Sequence, residues 1–410
     1  MLRCRHLVRM REGPLFDSPL SLGSLPPGER GIWRSLLLEA AMQYRIIDAD
    51  SHVNEPANVW QERVPAAMRE RAPKMVPLKD GKVGWSVNAG QRIMPLGLQA
   101  IAGFDVTQYD ASGIAYDKIR KGSYDPRARI EDMEYDMIQA QIIYPGVALT
   151  GARTYGDDRE MQVACVQAYN DWILEFNAHA PDRLIGLPIA PSTSLEDLVL
   201  EWKRVAKKGA RGIIMASYPN GSNAMKPEDD RFWAEVQEWP YPVHIHFGFF
   251  GAVTRTTTKP GVDPVVPFVN RMGVGVYTPL SELIYFGVFE RFPSLKMVAV
   301  ETGIGWVPFF LETLDDNFLR HRWHSNTHLK RMPSDYFREH VWATFVADVH
   351  GLENRHKYNI DRIMWSTDYP HVQTDWPNSQ RVVGYEFRGI PEDERQKMLW
   401  KNAAKLYRLG

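Results

Sequence analysis

Cysteine is nearly missing from this chain: Cys4 and Cys165 are the only two in 410 residues. That excludes a disulfide framework and a site built from several thiolates, so any bound metal has to be held by imidazole and carboxylate. Net charge is missing too. The 49 basic and 50 acidic residues leave a formal charge of −1, which gives no electrostatic basis for a nucleic-acid or anionic-membrane partner. No apolar run approaches the roughly 20 residues needed to cross a bilayer, and the expectation is a cytoplasmic protein without a membrane partner. No glycine-rich phosphate loop follows the first strand-like run, which argues against a dinucleotide-binding open sheet. Internal repeats and low-complexity tracts are absent as well.

What is present is an ordinary globular composition, 44% apolar and 24% charged, with a regular order. Residues 1–41 stand apart. Arg3, Arg5, Arg9 and Arg11 precede a stretch rich in Pro, Gly and Ser, and the expectation is a disordered leader or a misplaced start, with Met42 opening the folded part; an Arg-rich transit peptide is the alternative. From 42 to 410, short apolar runs rich in Val, Ile and aromatics alternate with longer amphipathic segments. The strand candidates are 44–50, 141–147, 184–190, 211–217, 242–248, 295–301, 340–348 and 362–368. Their lack of polar alternation suits parallel strands buried on both faces. Helical patterns lie at Asp157–Ala180, Ser194–Lys208, Leu280–Phe292, Gly305–His321 and Glu392–Tyr407. Eight strands in βα alternation predict an α/β fold of the (β/α)8 TIM-barrel type, with long βα loops forming the mouth. The long stretches are 51–128, 249–279 and 316–339.

Polar residues at the strand C-terminal ends are the candidates for chemistry. The first strand ends in Asp50-Ser51-His52, the fifth in His244-Ile245-His246, the sixth in Glu301 and the eighth in Asp368. Residues two apart on a strand share a face, so Asp50 and His52 can converge on one ion. His246, the last of its strand, reaches the mouth, and His244 is expected to face inward. Asp50, His52, His246 and Asp368 are therefore the expected ligands of one divalent metal, zinc first, with manganese or ferrous iron equally suited to oxygen and nitrogen donors. His321, His324 and His328 fall in a charged segment and read as a solvated helix end or lid; His350 and His356 read as surface residues. Trp85, Phe104, Tyr109, Phe249, Phe250 and Tyr277 are expected to line a pocket for a small, flat substrate.

The runs IIDADSHVNEP, PVHIHFG, VAVETGIGWVPFFLETLD and STDYPH occur in the order of the amidohydrolase-related family. More narrowly, they resemble the branch of aminocarboxymuconate-semialdehyde and resorcylate-type decarboxylases, over residues 44–408. The resemblance implies a metal at Asp50, His52, His246 and Asp368, with Asp368 also exchanging a proton with substrate or water, and it implies a homodimer. It departs from the pattern at the sixth strand, where Glu301 stands in place of a histidine. A buried glutamate can take a proton from water but cannot be a cationic partner for a substrate carboxylate. Glu301 and Asp368 are accordingly the expected catalytic residues, and hydrolysis of a small aromatic or cyclic substrate through metal-activated water is the preferred reading. The alternative is non-oxidative decarboxylation of an aromatic or enolic acid, for which Arg92, Arg153 and Arg255 are candidate carboxylate partners. A barrel that keeps the fold without catalysis is the third reading.

Overall fold

Parallel strands covered on both faces form from short apolar runs, and each of the eight runs becomes one. A computed structural model describes residues 44–247 and 274–410. The chain enters on β1 (Ile47–His52) and passes through a small sheet of β2 (Lys74–Pro77), β3 (Val83–Val87) and β4 (Arg92–Pro95). It then lays down β5 (Ala140–Tyr144), β6 (Leu184–Gly186), β7 (Ile213–Met215) and β8 (Val243–His246), followed by β9 (Met297–Val300), β10 (Val341–Phe345) and β11 (Ile363–Trp365). Strands β1, β5 and β6 pair in parallel, and β7 to β11 form a five-stranded parallel sheet in chain order. A parallel bridge between Ile189 and Ile214 joins the two sheets at one side. At the other, the Asp368 N–H donates to the Asp50 carbonyl at 2.9 Å. The result is a closed barrel of parallel strands whose C-terminal ends share one mouth.

Helices cover the outside, and their starts follow from local chemistry. Helix α1 (Pro126–Tyr135) begins where the Asp125 carboxylate accepts from the N–H groups of Arg127 and Ala128. Helix α2 (Arg159–Ala178) begins the same way at Asp158, and α3 (Leu195–Lys207) at the Ser194 hydroxyl. On α3, Leu195, Leu198, Val199, Trp202 and Val205 are buried at helical spacing while Leu200 faces out. The helix expected over Leu280–Phe292 instead runs from Val274 to Tyr285, and a second short one, Val288–Arg291, follows. Gly287, at φ 71°, takes the left-handed turn between them. The stretch 51–128, expected as loop, contains the antiparallel sheet β2–β3–β4. Trp85 on β3 is not a pocket residue. It is 1% exposed, with its ring 5.0 Å from Trp60 in an edge contact, and so belongs to the core that fastens this sheet to the barrel. No helix among the described residues is long and apolar enough to cross a membrane.

The seam between β1 and β11 is closed by side chains rather than by a regular ladder. Asp48 accepts from Thr367 N (2.9 Å), Thr367 Oγ1 (2.5 Å), Gln141 Nε2 (2.9 Å) and Asp50 N (3.2 Å). Burial pushes its carboxyl up to about 6 even against those four donors. Asp48→Asn turns an amide N–H2 toward donors that need an acceptor, and is expected to destabilise the fold by roughly 2–4 kcal/mol. Urea unfolding should show a lower midpoint at unchanged slope; an unshifted midpoint would remove Asp48 from the seam's stability.

Candidate metal centre

The mouth gathers the ends of four strands. Asp50 and His52 close β1, His246 closes β8, Glu301 is the residue after β9, and Asp368 follows β11. Asp48, two residues earlier on β1, serves the seam instead, and the pairing of β1 with β5 slips between Asp48 and Ser51. Glu301 and Asp368 both have φ 55°. The left-handed region is unfavourable for a side chain with a Cβ, and non-glycine residues persist there where the surroundings hold them.

Asp50, His52, His246 and Glu301 each offer an atom within 4.8 Å of all the others. His52 Nε2 lies 3.4 Å from Asp50 Oδ1, and His246 Nε2 lies 3.9 Å from Asp50 Oδ1 and 3.3 Å from Glu301 Oε2. His52 Nδ1 faces the Pro145 carbonyl at 3.3 Å, which leaves the Nε2 lone pair directed at the cluster. Both oxygens of Asp50, Nε2 of His52 and both ring nitrogens of His246 are buried without a hydrogen-bond partner among the described residues. A buried carboxylate left so costs several kcal/mol unless a charge compensates it. Oxygen and imidazole ligands around one point are the donor set of a divalent cation. The residues fit a metal.

A second group adjoins the first and shares His52. Asp368 Oδ1 lies 3.2 Å from His52 Nε2 and 3.4 Å from His371 Nδ1. The His371 ring stacks on that of His52 with centroids 3.8 Å apart and 14° between planes. Gln373 links the groups, its backbone N–H donating to Asp368 Oδ2 at 3.1 Å and its side-chain amide to Glu301 Oε1 at 2.9 Å. Sequence reasoning placed Asp368 among the ligands and Glu301 apart as a proton acceptor; the structure groups Glu301 with the three other donors and sets Asp368 beside them with His371. Neither His371 nor Gln373 was singled out, although His371 lies in the STDYPH run, three residues after Asp368.

Electrostatics follow burial and neighbours. Desolvation raises the Asp50 carboxyl well above its ordinary value, and the Glu301, Asp368 and Asp48 carboxylates add to it. Desolvation lowers His52 to about 4, with His371 contributing, and holds His246 well below the usual imidazole range. Burial works against ionised Asp368 too, but His371 and His52 outweigh it and draw this carboxyl below the usual range.

Other candidates stand elsewhere. His244 is buried with Nδ1 2.8 Å from the Tyr144 hydroxyl, inside the barrel as expected. Arg92 is exposed on β4, and exposed Arg153 gives its guanidinium to the Gly221 carbonyl and Asn223. Tyr277 packs against Trp306 and Phe310. Phe104 and Tyr109 are half-buried, and His321, His324, His328, His350 and His356 are exposed. Phe249, Phe250, Arg255 and the leader 1–41 lie outside the described residues.

A family model described as amidohydrolase matches residues 47–409. Gamma-resorcylate decarboxylase of Polaromonas sp. is 24% identical over 265 residues, which is 59% of this chain and 75% of that protein. Among solved structures, an amidohydrolase from Mycobacterium avium subsp. paratuberculosis superposes with a TM-score of 0.72 at 22% identity, over 89% of this chain and 100% of that one. A 5-carboxyvanillate decarboxylase from Novosphingobium aromaticivorans, solved with bound manganese and 3-methoxy-4-hydroxy-5-nitrobenzoic acid, gives 0.63 at 18% identity, over 89% of this chain and 97% of that one.

The pKa pattern predicts how metal binding depends on pH. His52 and His246 are neutral across the working range because burial lowers them, so they release no proton. Asp50 is raised, so it holds a proton that the ion must displace. Apparent affinity should therefore rise with pH, by up to about 10-fold per unit, as long as Asp50 keeps its proton in the metal-free site. Chelator-competition titrations across a pH series check this; an affinity independent of pH would show that Asp50 is ionised in the metal-free site.

Proposed function

The chain belongs to the amidohydrolase family, and from that premise we propose that it is a metal-dependent non-oxidative decarboxylase of a small aromatic or enolic acid. The observation that carries the reading is the placement of Asp368. Its carboxyl stands next to the donor cluster, backed by His371, with one oxygen fixed by the Gln373 N–H and the other toward His52. That is a carboxylate able to take up and pass on a proton, held beside a metal site. Glu301 supplied the reason to prefer hydrolysis; with one oxygen on the Gln373 amide and the other facing His246, its contacts support reading it as a member of the donor cluster instead. The kinship with gamma-resorcylate decarboxylase points the same way.

Asp50, His52, His246 and Glu301 would hold the ion. Two imidazoles and two carboxylates suit manganese as well as zinc, and manganese is preferred because the Novosphingobium neighbour was solved with it. A divalent ion supplies Lewis-acid polarisation of substrate oxygens when bound. The chain's own residues handle the proton. His371 and His52 favour the ionised form of Asp368, so it first takes up a proton from the bound substrate acid and then passes it on. The ring carbon that bears the carboxyl group takes this proton, the bond to the carboxyl carbon breaks, and carbon dioxide leaves as the new C–H bond remains.

Incubation with ortho-hydroxy aromatic acids in D2O should release carbon dioxide and leave one deuterium at the vacated carbon. Solvent oxygen-18 appearing in the organic product would instead establish hydrolysis. Asp368→Asn should lower turnover by at least ~100-fold while manganese still binds; full activity in this variant would refute its proton-transfer role.

A further inference from the structure

The two carboxylates that matter most at this mouth are not set against each other by the sheet. Glu301 follows β9 and Asp368 follows β11, and β10 lies between these strands. Each sits past its strand end, off the regular ladder, in the left-handed region at φ 55°. The ladder therefore fixes neither side chain. The Glu301 N–H is tied to β10 through Thr344 Oγ1 at 2.9 Å, and the Asp368 N–H to β1 through the Asp50 carbonyl at 2.9 Å. Those bonds anchor the two backbones to different strands and leave the distance between the carboxylates open.

Gln373 spans that gap. Its side-chain amide donates to Glu301 Oε1, and its backbone N–H donates to Asp368 Oδ2. In each carboxylate one oxygen is thereby taken, and the other is turned inward: Glu301 Oε2 toward His246 at 3.3 Å, and Asp368 Oδ1 toward His52 at 3.2 Å. The donor is an uncharged amide. A lysine or arginine here would neutralise Glu301 and compete with a cation, whereas an amide orients the carboxylate and leaves its charge available. The side chain is half-buried, so its removal opens no cavity in the core.

We propose that Gln373 is a positioning residue of the metal site: its amide holds Glu301 as a one-oxygen ligand and, through its backbone, sets the spacing between that ligand and Asp368. The inference rests on the reading of Asp50, His52, His246 and Glu301 as the ligands, and it is independent of which bond the enzyme breaks.

The test uses the full chain and manganese alone, with free ion counted by its electron paramagnetic resonance signal. Gln373→Ala should weaken manganese binding about 10- to 100-fold, the usual effect of losing an outer partner of a ligand. Gln373→Met, which keeps the volume without the donor, should do the same. The metal-free melting temperature should stay where it is in both variants. In a Glu301→Ala background, Gln373→Ala should add no further loss, because its effect passes through that carboxylate. Unchanged manganese affinity in either single variant overturns the proposal. So does weakened affinity that comes only with a lowered metal-free melting temperature in both variants, or full additivity with Glu301→Ala. None of these readouts depends on carbon dioxide release, so failure of the decarboxylase reading would leave the result standing, and the reverse.

Discussion

The structure depends on one uncomfortable group, the Asp50 carboxylate, wholly buried at the mouth with other carboxylates around it. In a desolvated setting this charge has to be compensated or protonated. Two imidazoles kept neutral by burial stand against it and offer lone pairs rather than charge. A divalent cation satisfies all of these groups at once, and the same ion turns an expensive cluster of acids into a reactive site.

Around that centre, His52 and Glu301 are each held by a partner outside the donor cluster. The Pro145 carbonyl orients His52, and the loop carrying Pro145 is held by buried Glu55, which accepts from the N–H groups of Gly146 and Val147. Arg129, fully buried, donates to the His52 carbonyl at 2.9 Å and lies over the Tyr369 ring at 4.2 Å. Tyr369 in turn donates to Asp132, which also takes a two-pronged contact from Arg120. The segment after β11, which supplies Asp368, His371 and Gln373, is thus pinned from below. Outer partners of this kind decide whether a site is set to within a fraction of an ångström or only present.

The barrel was legible because its signals are local. Unbroken apolar runs such as QIIYPGV can be read without knowing their neighbours, and each gave a strand within a few residues of its expected bounds. His244 and His246 could be assigned different roles from strand alternation alone. The sheet β2–β3–β4 was less legible. Its strands are short, β2 and β4 are only partly covered, and the burial of Trp85 depends on Trp60 from another segment. The helix over Leu280–Phe292 failed at Gly287, whose left-handed turn is visible only once the backbone is known.

The sequence by itself determined the architecture, the presence of a metal-binding mouth and the residues at strand ends that furnish it, because strand periodicity and position at a C-terminal end are properties of short stretches. Tertiary structure decided which donors stand together. Whether Glu301 or Asp368 completes the donor cluster turns on two residues past the regular ladder and on an amide 72 positions away along the chain. Strand alternation says nothing about side-chain direction once the backbone leaves the strand. His371 reaches the site for the same reason: a loop folds back over His52 and stacks the two rings, a contact that no spacing rule in the sequence encodes.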